Sequence, residues 1–279
     1  MRDIPFAVTS NAGARIAESV VEGGCDGEVT GMSKRILFVN PFKGQVFEEP
    51  IRAFIVPAGL SGTEVDVTSV KRGPEHVEYH YYEALTLLDT LQIIRRAEAD
   101  GYDAAVIGCF YDPGLKEARE ITTRMVVTAP AEASMHIAST LGHTFSIIVG
   151  RSKWIPQMHE NVVKYGFKDR LASFKPVGLG VHDFHRDEAK TARLLTAAAK
   201  EAVEKDRAEV IILGCTIQFG FYRQLQEELG VPVIDAVLAS FKYAEFLIEL
   251  KKRFNWGHSK VYGYESPPQE EMSAWNLND

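Results

Sequence analysis

Two apolar runs that each end in Gly-Cys constrain the fold of this chain more than any other feature. They lie in residues 106–113 (VIGCFYDP) and residues 211–220 (IILGCTIQFG). Each run is typical of a buried strand, and each passes into a polar pattern with helical spacing. Cys109 and Cys215 therefore occupy the same junction of strand and helix in two parts of the chain. If the chain folds as two similar halves, we expect these cysteines to face each other across one cleft.

Strand-like runs alternate with helix-like runs from residue 36 to residue 254. This βαβα order predicts α/β architecture with parallel sheets. A length of 279 residues is near the size at which one core stops growing, so we expect two domains or two lobes of one unit. After each cysteine the next strand follows at almost the same distance, at Val126 and at Val233. This similar spacing is modest evidence for an internal duplication.

Composition and charge exclude several classes of partner. The chain carries 31 basic and 38 acidic residues, a net charge of −7, and no basic block, so nucleic acid is not an expected partner. No apolar run approaches the ~18 residues of a membrane helix, and no signal peptide is recognisable, so we expect a cytoplasmic protein without membrane contact. Three widely spaced cysteines do not form a disulfide framework, so reduced thiols are expected. Cys25 is interpreted as an incidental thiol.

The position of the two Gly-Cys cysteines favours proton-transfer chemistry on a small-molecule substrate. A helix N-terminus lowers the pKa of a nearby thiol, so both cysteines are expected to be reactive. Two such groups on opposite faces of a substrate suit a base and an acid, which is what racemisation of a stereogenic carbon needs. The backbone N–H groups of the residues that follow each cysteine are expected to stabilise the enolate, and no metal or organic cofactor is required. These substrate-binding residues are Phe110, Tyr111, Thr216 and Ile217. The histidines at positions 182 and 185 lack further ligands and are assigned to a surface loop or a helix N-terminus.

Around these residues the chain resembles the aspartate/glutamate/hydantoin racemase superfamily, and most closely its hydantoin and allantoin racemase branch. The resemblance extends over residues 36–250. Its motifs are GYDA leading into IGCFYDPGLKEARE, Ala131-Glu132-Ala133, Leu-Gly before FSIIV, and LGCT followed by GVPVIDAV. The motif around Cys109 is long and specific, whereas LGCT is shorter but correctly placed.

The resemblance implies a fold of two pseudo-symmetric α/β lobes, each a parallel sheet flanked by helices, with the active site in the cleft between them. Together with the composition of the two chain ends, this predicts an N-terminal extension, disordered or partly helical; a first lobe whose last helix returns to it; a second lobe; and an aromatic tail. The extension is residues 1–33, and the first lobe is residues 34–129 with 236–254. The second lobe is residues 130–235, and the tail is residues 255–279. Aromatic residues in the tail suggest docking on this subunit or a neighbour, and a homo-oligomer is expected.

The resemblance also implies cofactor-independent racemisation with Cys109 and Cys215 as the catalytic pair. Asn40 matches the first asparagine of the family's Asn-Pro-Asn-Thr/Ser loop and is expected to bind substrate. That loop continues here with Phe42 and Lys43, which depart from the family pattern, and Lys43 is expected to meet an anionic group. Thr128, in an unusual Thr-Ala-Pro segment, is also assigned to substrate binding, and Tyr82 stands where an aspartate is usual.

Three functional hypotheses follow. The preferred one is a cofactor-independent racemase or epimerase of a 5-substituted hydantoin, allantoin or related cyclic ureide. The second keeps the fold but uses cysteine chemistry for decarboxylation or cis-trans isomerisation. The third is a non-catalytic ligand-binding relative, and it is motivated by the altered Phe42-Lys43 loop and the aromatic tail.

Overall fold

The computed structural model describes residues 33–275, and its first half forms a four-stranded parallel sheet with flanking helices. In chain order the elements are β1 (Lys34–Asn40), α1 (Gln45–Ile55), β2 (Thr63–Ser69), α2 (His80–Ala99), β3 (Ala104–Ile107), α3 (Leu115–Ile121), β4 (Val126–Thr128) and α4 (Pro130–Leu141). The strand order is β2-β1-β3-β4. The residues from position 1 to position 32, including Cys25 and nearly all of the expected N-terminal extension, lie outside the described residues.

A second parallel sheet repeats this arrangement. Its elements are β5 (Phe145–Val149), α5 (Ile155–Lys164), β6 (Leu171–Pro176), α6 (Glu188–Glu204), β7 (Val210–Leu213), α7 (Tyr222–Leu229), β8 (Val233–Asp235), α8 (Ala236–Phe254) and α9 (Gln269–Ala274). The strand order is β6-β5-β7-β8, so in both sheets the second strand along the chain lies at one edge and the fourth at the other. The prediction of two α/β lobes, each built on a parallel sheet, is confirmed.

The strands that lead to the two cysteines are buried along their whole length. All four residues of β3 (AAVI) and all four of β7 (VIIL) are buried, and neither strand alternates between apolar and polar residues. Parallel strands covered by helices on both faces have this continuous apolar pattern. Their boundaries could therefore be read from the sequence to within a residue.

The long helix α8 leaves the second sheet and packs on the first. The Thr128 hydroxyl at the end of β4 donates a hydrogen bond to the carbonyl of Ser240 on α8 over 3.1 Å. Near the other end of the helix, Lys252 forms an ion pair of 2.8 Å with Asp103, which directly precedes β3. The division of the chain into lobes at residues 129 and 235 stays a prediction.

The aromatic tail contacts the edge of the first sheet through some of its side chains. His258 Nε2 accepts the backbone N–H of Val127 on edge strand β4 over 2.9 Å, and the Tyr264 hydroxyl accepts a hydrogen bond from Arg119 over 3.2 Å. Trp256, Tyr262 and Trp275 are exposed. The tail thus docks in part on its own subunit, and the expected homo-oligomer stays a prediction. Across residues 33–275, none of the helices combines the length and apolar character needed to span a membrane.

Candidate active site

The two Gly-Cys junctions meet at one cavity between the carboxyl ends of the two sheets. Cys109 follows β3 and Cys215 follows β7, and both line this cavity. The Thr216 hydroxyl donates a hydrogen bond to the carbonyl of Gly108 over 3.0 Å, which links the two junctions directly. The predicted convergence of the two cysteines is therefore present in the structure. Ligands of parallel α/β sheets bind at this end of the strands.

A glycine precedes each cysteine because the backbone passes very close to the neighbouring strand. A Cβ atom at position 108 would lie 2.3 Å from the ring of Phe38 on β1. A Cβ atom at position 214 would lie 2.7 Å from the side chain of Ile147 on β5. Both distances are too short for any side chain, so the Gly-Cys pattern is required by packing on both sheets.

The walls of the cavity are mainly apolar side chains from both lobes. They are Phe42, Val77, Phe110, Trp154, Met158, Val181 and Ile217. Phe42 comes from the loop after β1, where a small polar residue is usual in the related family, and it is 3% exposed. The cavity therefore suits a compact ligand whose hydrogen-bonding groups meet the few polar residues of its wall.

Burial raises the pKa of both thiols. It raises the pKa of Cys215 to about 12, although the backbone N–H groups of Ile217 and Gln218 hydrogen-bond to its sulfur and lower it. It raises the pKa of Cys109 well above its ordinary value, against the opposing hydrogen bond from the Tyr111 N–H. Both sulfurs thus have N–H donors ready to stabilise a thiolate, but desolvation is the larger effect.

The prediction of lowered thiol pKa values is wrong. It assumed that a helix begins directly after each cysteine. The helix after Cys109 instead begins at Leu115, and Cys215 is followed by a single 3₁₀ turn, Thr216–Gln218. A helix macrodipole acts only within the first turn of a regular helix, so neither sulfur gains much from it.

Asp112 does not cap the helix that follows it, although an aspartate directly before a proline is typical of a helix N-cap. Its backbone is left-handed, with φ of 52°, and its carboxylate accepts the N–H groups of Ala131 and Glu132 over 2.8 and 2.9 Å. It therefore caps α4, and it also accepts the hydroxyl of Tyr165 over 2.8 Å. Burial raises the pKa of Asp112 to about 7, although these three hydrogen bonds lower it. The loop after Cys109 is thus held by a carboxylate three residues away.

Glu78 is a residue of the cavity that sequence analysis did not identify. It lies in the loop between β2 and α2, it is 6% exposed, and it lines the cavity together with both cysteines. Its segment (EYHYYEA) is polar and aromatic, so nothing local in the sequence indicates a buried carboxylate. Sequence analysis also missed Trp154 and Met158. They reach the cavity from the second lobe, so no local pattern near Glu78 or Cys109 indicates that they line it.

Six of the nine predicted site residues line the cavity, and three do not. Asn40 is buried at the end of β1, where its side-chain amide donates to the Ser69 hydroxyl over 3.1 Å. Lys43 is about half exposed and pairs with Glu75 over 3.7 Å, so it lies at the surface. Thr128 is buried and binds the backbone of α8. The six that do line the cavity are Cys109, Phe110, Tyr111, Cys215, Thr216 and Ile217.

The histidine pair noted in the sequence does not form a metal site. The ring of His182 faces the ring of His76, with centroids 5.7 Å apart, and His185 Nδ1 lies 3.2 Å from the carboxylate of Glu188. Among residues 33–275, no group of three or more His, Cys, Asp or Glu side chains is arranged to hold a metal ion.

Comparison with known proteins agrees with this geometry. The family model described as Asp/Glu/Hydantoin racemase matches residues 36–244. The chain is 40% identical over 238 residues to a hydantoin racemase from Paenarthrobacter aurescens, covering 85% of this chain and 99% of that protein. It is 36% identical over 237 residues to a hydantoin racemase from a Pseudomonas strain, covering 85% of this chain and 93% of that protein.

A solved structure shows the same similarity. The allantoin racemase from Klebsiella pneumoniae superposes with a TM-score of 0.79 at 30% identity, covering 85% of this chain and 94% of that chain. The shared sequence, the two parallel sheets and the paired Gly-Cys junctions at one cavity lead to a single conclusion: the chain belongs to the Asp/Glu/hydantoin racemase family and is an isomerase of the racemase type.

Proposed function

We propose that this protein racemises a 5-substituted hydantoin, allantoin or a related cyclic ureide by proton transfer between two cysteines, without a cofactor. The observation that carries the proposal is that Cys109 and Cys215 come from different lobes and line one cavity. The racemases to which the chain is similar are named for hydantoin and allantoin, which supports the substrate class.

In the proposed reaction, one cysteine thiolate removes the proton from the stereogenic ring carbon and becomes a thiol. The electron pair of the broken C–H bond moves into the adjacent carbonyl group and forms an enolate. The opposite cysteine thiol then donates its proton to the other face of the carbon and becomes the thiolate. Atoms and charge balance, and the second half-reaction regenerates an enzyme with one thiolate and one thiol. The planar intermediate favours neither enantiomer.

The enolate needs donors at its developing negative charge. The N–H groups of Tyr111 and Ile217 hydrogen-bond to the cysteine sulfurs, so we assign the enolate oxygen to the neighbouring N–H groups of Phe110 and Thr216 at the same wall. A positioned donor of this kind is worth about 3 kcal/mol in the transition state. The apolar walls exclude water, which strengthens these hydrogen bonds.

The proposal is tested by incubating each enantiomer of 5-benzylhydantoin with the protein in D₂O. We expect optical rotation to decay to zero and deuterium to appear at the ring carbon in both recovered enantiomers, well above the spontaneous rate without protein. The absence of deuterium exchange above that rate would contradict the proposal. Release of carbon dioxide from an arylmalonate without any ureide exchange would instead support the decarboxylase alternative.

The raised thiol pKa values predict a marked pH dependence. In the free enzyme, kcat/KM follows the fraction of molecules in which one cysteine of the pair is ionised. Because burial raises the pKa of Cys215 to about 12 and that of Cys109 well above its ordinary value, this fraction grows throughout the neutral range. We expect kcat/KM to rise about tenfold per pH unit from about pH 6 to about pH 8. A plateau below pH 8 would show that the active form has a much more acidic thiol.

A further inference from the structure

A buried carboxylate occupies the wall of a mainly apolar cavity. Glu78 is 6% exposed and lines the same cavity as both cysteines. Moving an ionised carboxylate out of water is costly, so a protein retains one there only when other groups stabilise it or when it acts on a ligand. The hydrogen bonds of Glu78 show how it is stabilised and what remains available to a ligand.

The groups that donate hydrogen bonds to the Glu78 carboxylate all come from the second lobe. Its Oε2 accepts hydrogen bonds from Arg151 over 2.7 Å and from the indole N–H of Trp154 over 3.3 Å. Its Oε1 accepts the backbone N–H of Val181 over 3.0 Å. Burial raises the pKa of Glu78, but the hydrogen bonds from Arg151 and Val181 outweigh burial and hold it below its ordinary value. The carboxylate is therefore ionised at neutral pH.

Within residues 33–275, one acceptor position on Oε1 has no donor. A carboxylate offers about four lone-pair positions, and the three donors described above use three of them. His76 Nδ1 lies 3.9 Å from Oε1, but it accepts the backbone N–H of Glu78, so its lone pair and not a proton faces that region. Burial also lowers the pKa of His76, which keeps the imidazole neutral. The remaining position on Oε1 is thus open to an N–H group of a ligand.

The countercharge of Glu78 does not cancel its field inside the cavity. The side chain of Arg151 is 39% exposed whereas that of Glu78 is 6% exposed, so solvent screens the cation more than the anion. A ligand in the cavity therefore meets net negative charge on this wall. That charge attracts N–H donors and repels carboxylates.

We propose that Glu78 determines substrate specificity, by accepting an N–H of a neutral ureide ring and by excluding ligands that carry a carboxylate. This inference rests on the proposed function and adds a selection rule to it. A cavity with two cysteines could otherwise process acids such as amino acids or malonates. In this inference, Glu78 alone distinguishes ring-closed ureides from those acids.

The test compares two ligands that differ only in charge, hydantoin-5-acetic acid and hydantoin-5-acetamide, both racemic. Binding is measured by calorimetry at neutral pH. We expect the wild-type protein to bind the amide about tenfold or more tightly than the acid, because two like charges a few ångströms apart in a partly desolvated site repel strongly. We expect E78Q to reduce that ratio to about twofold, because glutamine keeps the shape and removes the charge.

Two control variants separate charge from structure. E78D keeps the charge and should keep the ratio, whereas E75Q changes an exposed carboxylate three residues away in the same loop and should not alter it. If E78Q does not fold, R151Q provides the test, because it removes the exposed countercharge and should increase the ratio. An unchanged ratio in E78Q, or in R151Q if that variant is needed, would overturn the inference. Failure of both ligands to bind the wild type would contradict the proposed function itself.

Discussion

Replacing Cys109 or Cys215 by alanine is expected to lower the rate of racemisation by roughly 10³-fold or more. In the proposed reaction each cysteine acts on its own face of the substrate carbon, so neither can substitute for the other. Both lie on the same cavity, and both have backbone N–H groups directed at the sulfur. The measurement is the decay of optical rotation of 5-benzylhydantoin, starting separately from each enantiomer.

Deuterium exchange in the same samples distinguishes the two-base reaction from a one-base reaction. If each cysteine serves one face, a single-cysteine variant can still exchange the proton of one enantiomer with solvent, but it cannot invert the carbon. We expect C109A and C215A to show residual exchange in opposite enantiomers. If one variant loses exchange from both enantiomers and the other variant loses exchange from neither, a single cysteine does the chemistry.

The third cysteine provides a matched control. Cys25 is interpreted from the sequence as an incidental thiol, so C25A should retain the racemisation rate of the wild type. The same set of variants also tests the non-catalytic alternative, because a binding protein would show no cysteine-dependent rate at all. Circular dichroism and thermal melting of each variant verify that a lost rate does not reflect a lost fold.

The two Gly-Cys junctions could be predicted from the sequence because their signals are local. The apolar runs of β3 and β7 are continuous, the glycine before each cysteine is required by packing, and the pattern occurs twice. These features specify parallel strands and the place of each cysteine at the strand end. They also led to the correct expectation that the two cysteines share one cavity.

Features that depend on contacts between distant segments could not be predicted in this way. Glu78 is stabilised by groups between 73 and 103 residues away, so its burial leaves no local pattern. Lys43 and Thr128 were selected because they depart from a family motif, but the first lies at the surface and the second binds α8. The sign of the thiol pKa shifts depends on desolvation by both lobes, which a helix-dipole argument from one segment does not include.

The contacts of Asp112 also could not be predicted from the local sequence. Loss of this residue should affect both stability and activity. An aspartate followed by proline is typical of a helix N-cap, yet its carboxylate reaches across to the N-terminus of α4 and to the Tyr165 hydroxyl. A second contact holds the same loop: the side-chain amide of Asn161 on α5 donates a hydrogen bond to the carbonyl of Tyr111 over 2.8 Å. The segment that carries Cys109 is therefore positioned by α4 and α5 together, and Asp112 is a positioning residue.

Replacing Asp112 by alanine is expected to lower the free energy of unfolding by about 3 kcal/mol at pH 8, where the carboxylate is ionised. The variant loses a helix cap worth ~1 kcal/mol, leaves the partly buried Tyr165 hydroxyl without its acceptor, costing ~1 kcal/mol, and places alanine in a left-handed backbone, costing ~1 kcal/mol. Because the loop of Cys109 loses its support, kcat should fall by at least about tenfold while the KM changes little.

Urea unfolding of the wild type, D112A and D112N at pH 8 checks this expectation, with kcat and KM measured on the same preparations. Asparagine tolerates a positive φ and keeps one acceptor oxygen, so D112N should lose less stability than D112A. A stability loss in D112A with kcat unchanged would restrict Asp112 to capping α4. Equal kcat in all three proteins would show that the Cys109 loop is held by its remaining contacts, such as the bond from Asn161, and that proton transfer does not depend on the carboxylate behind it.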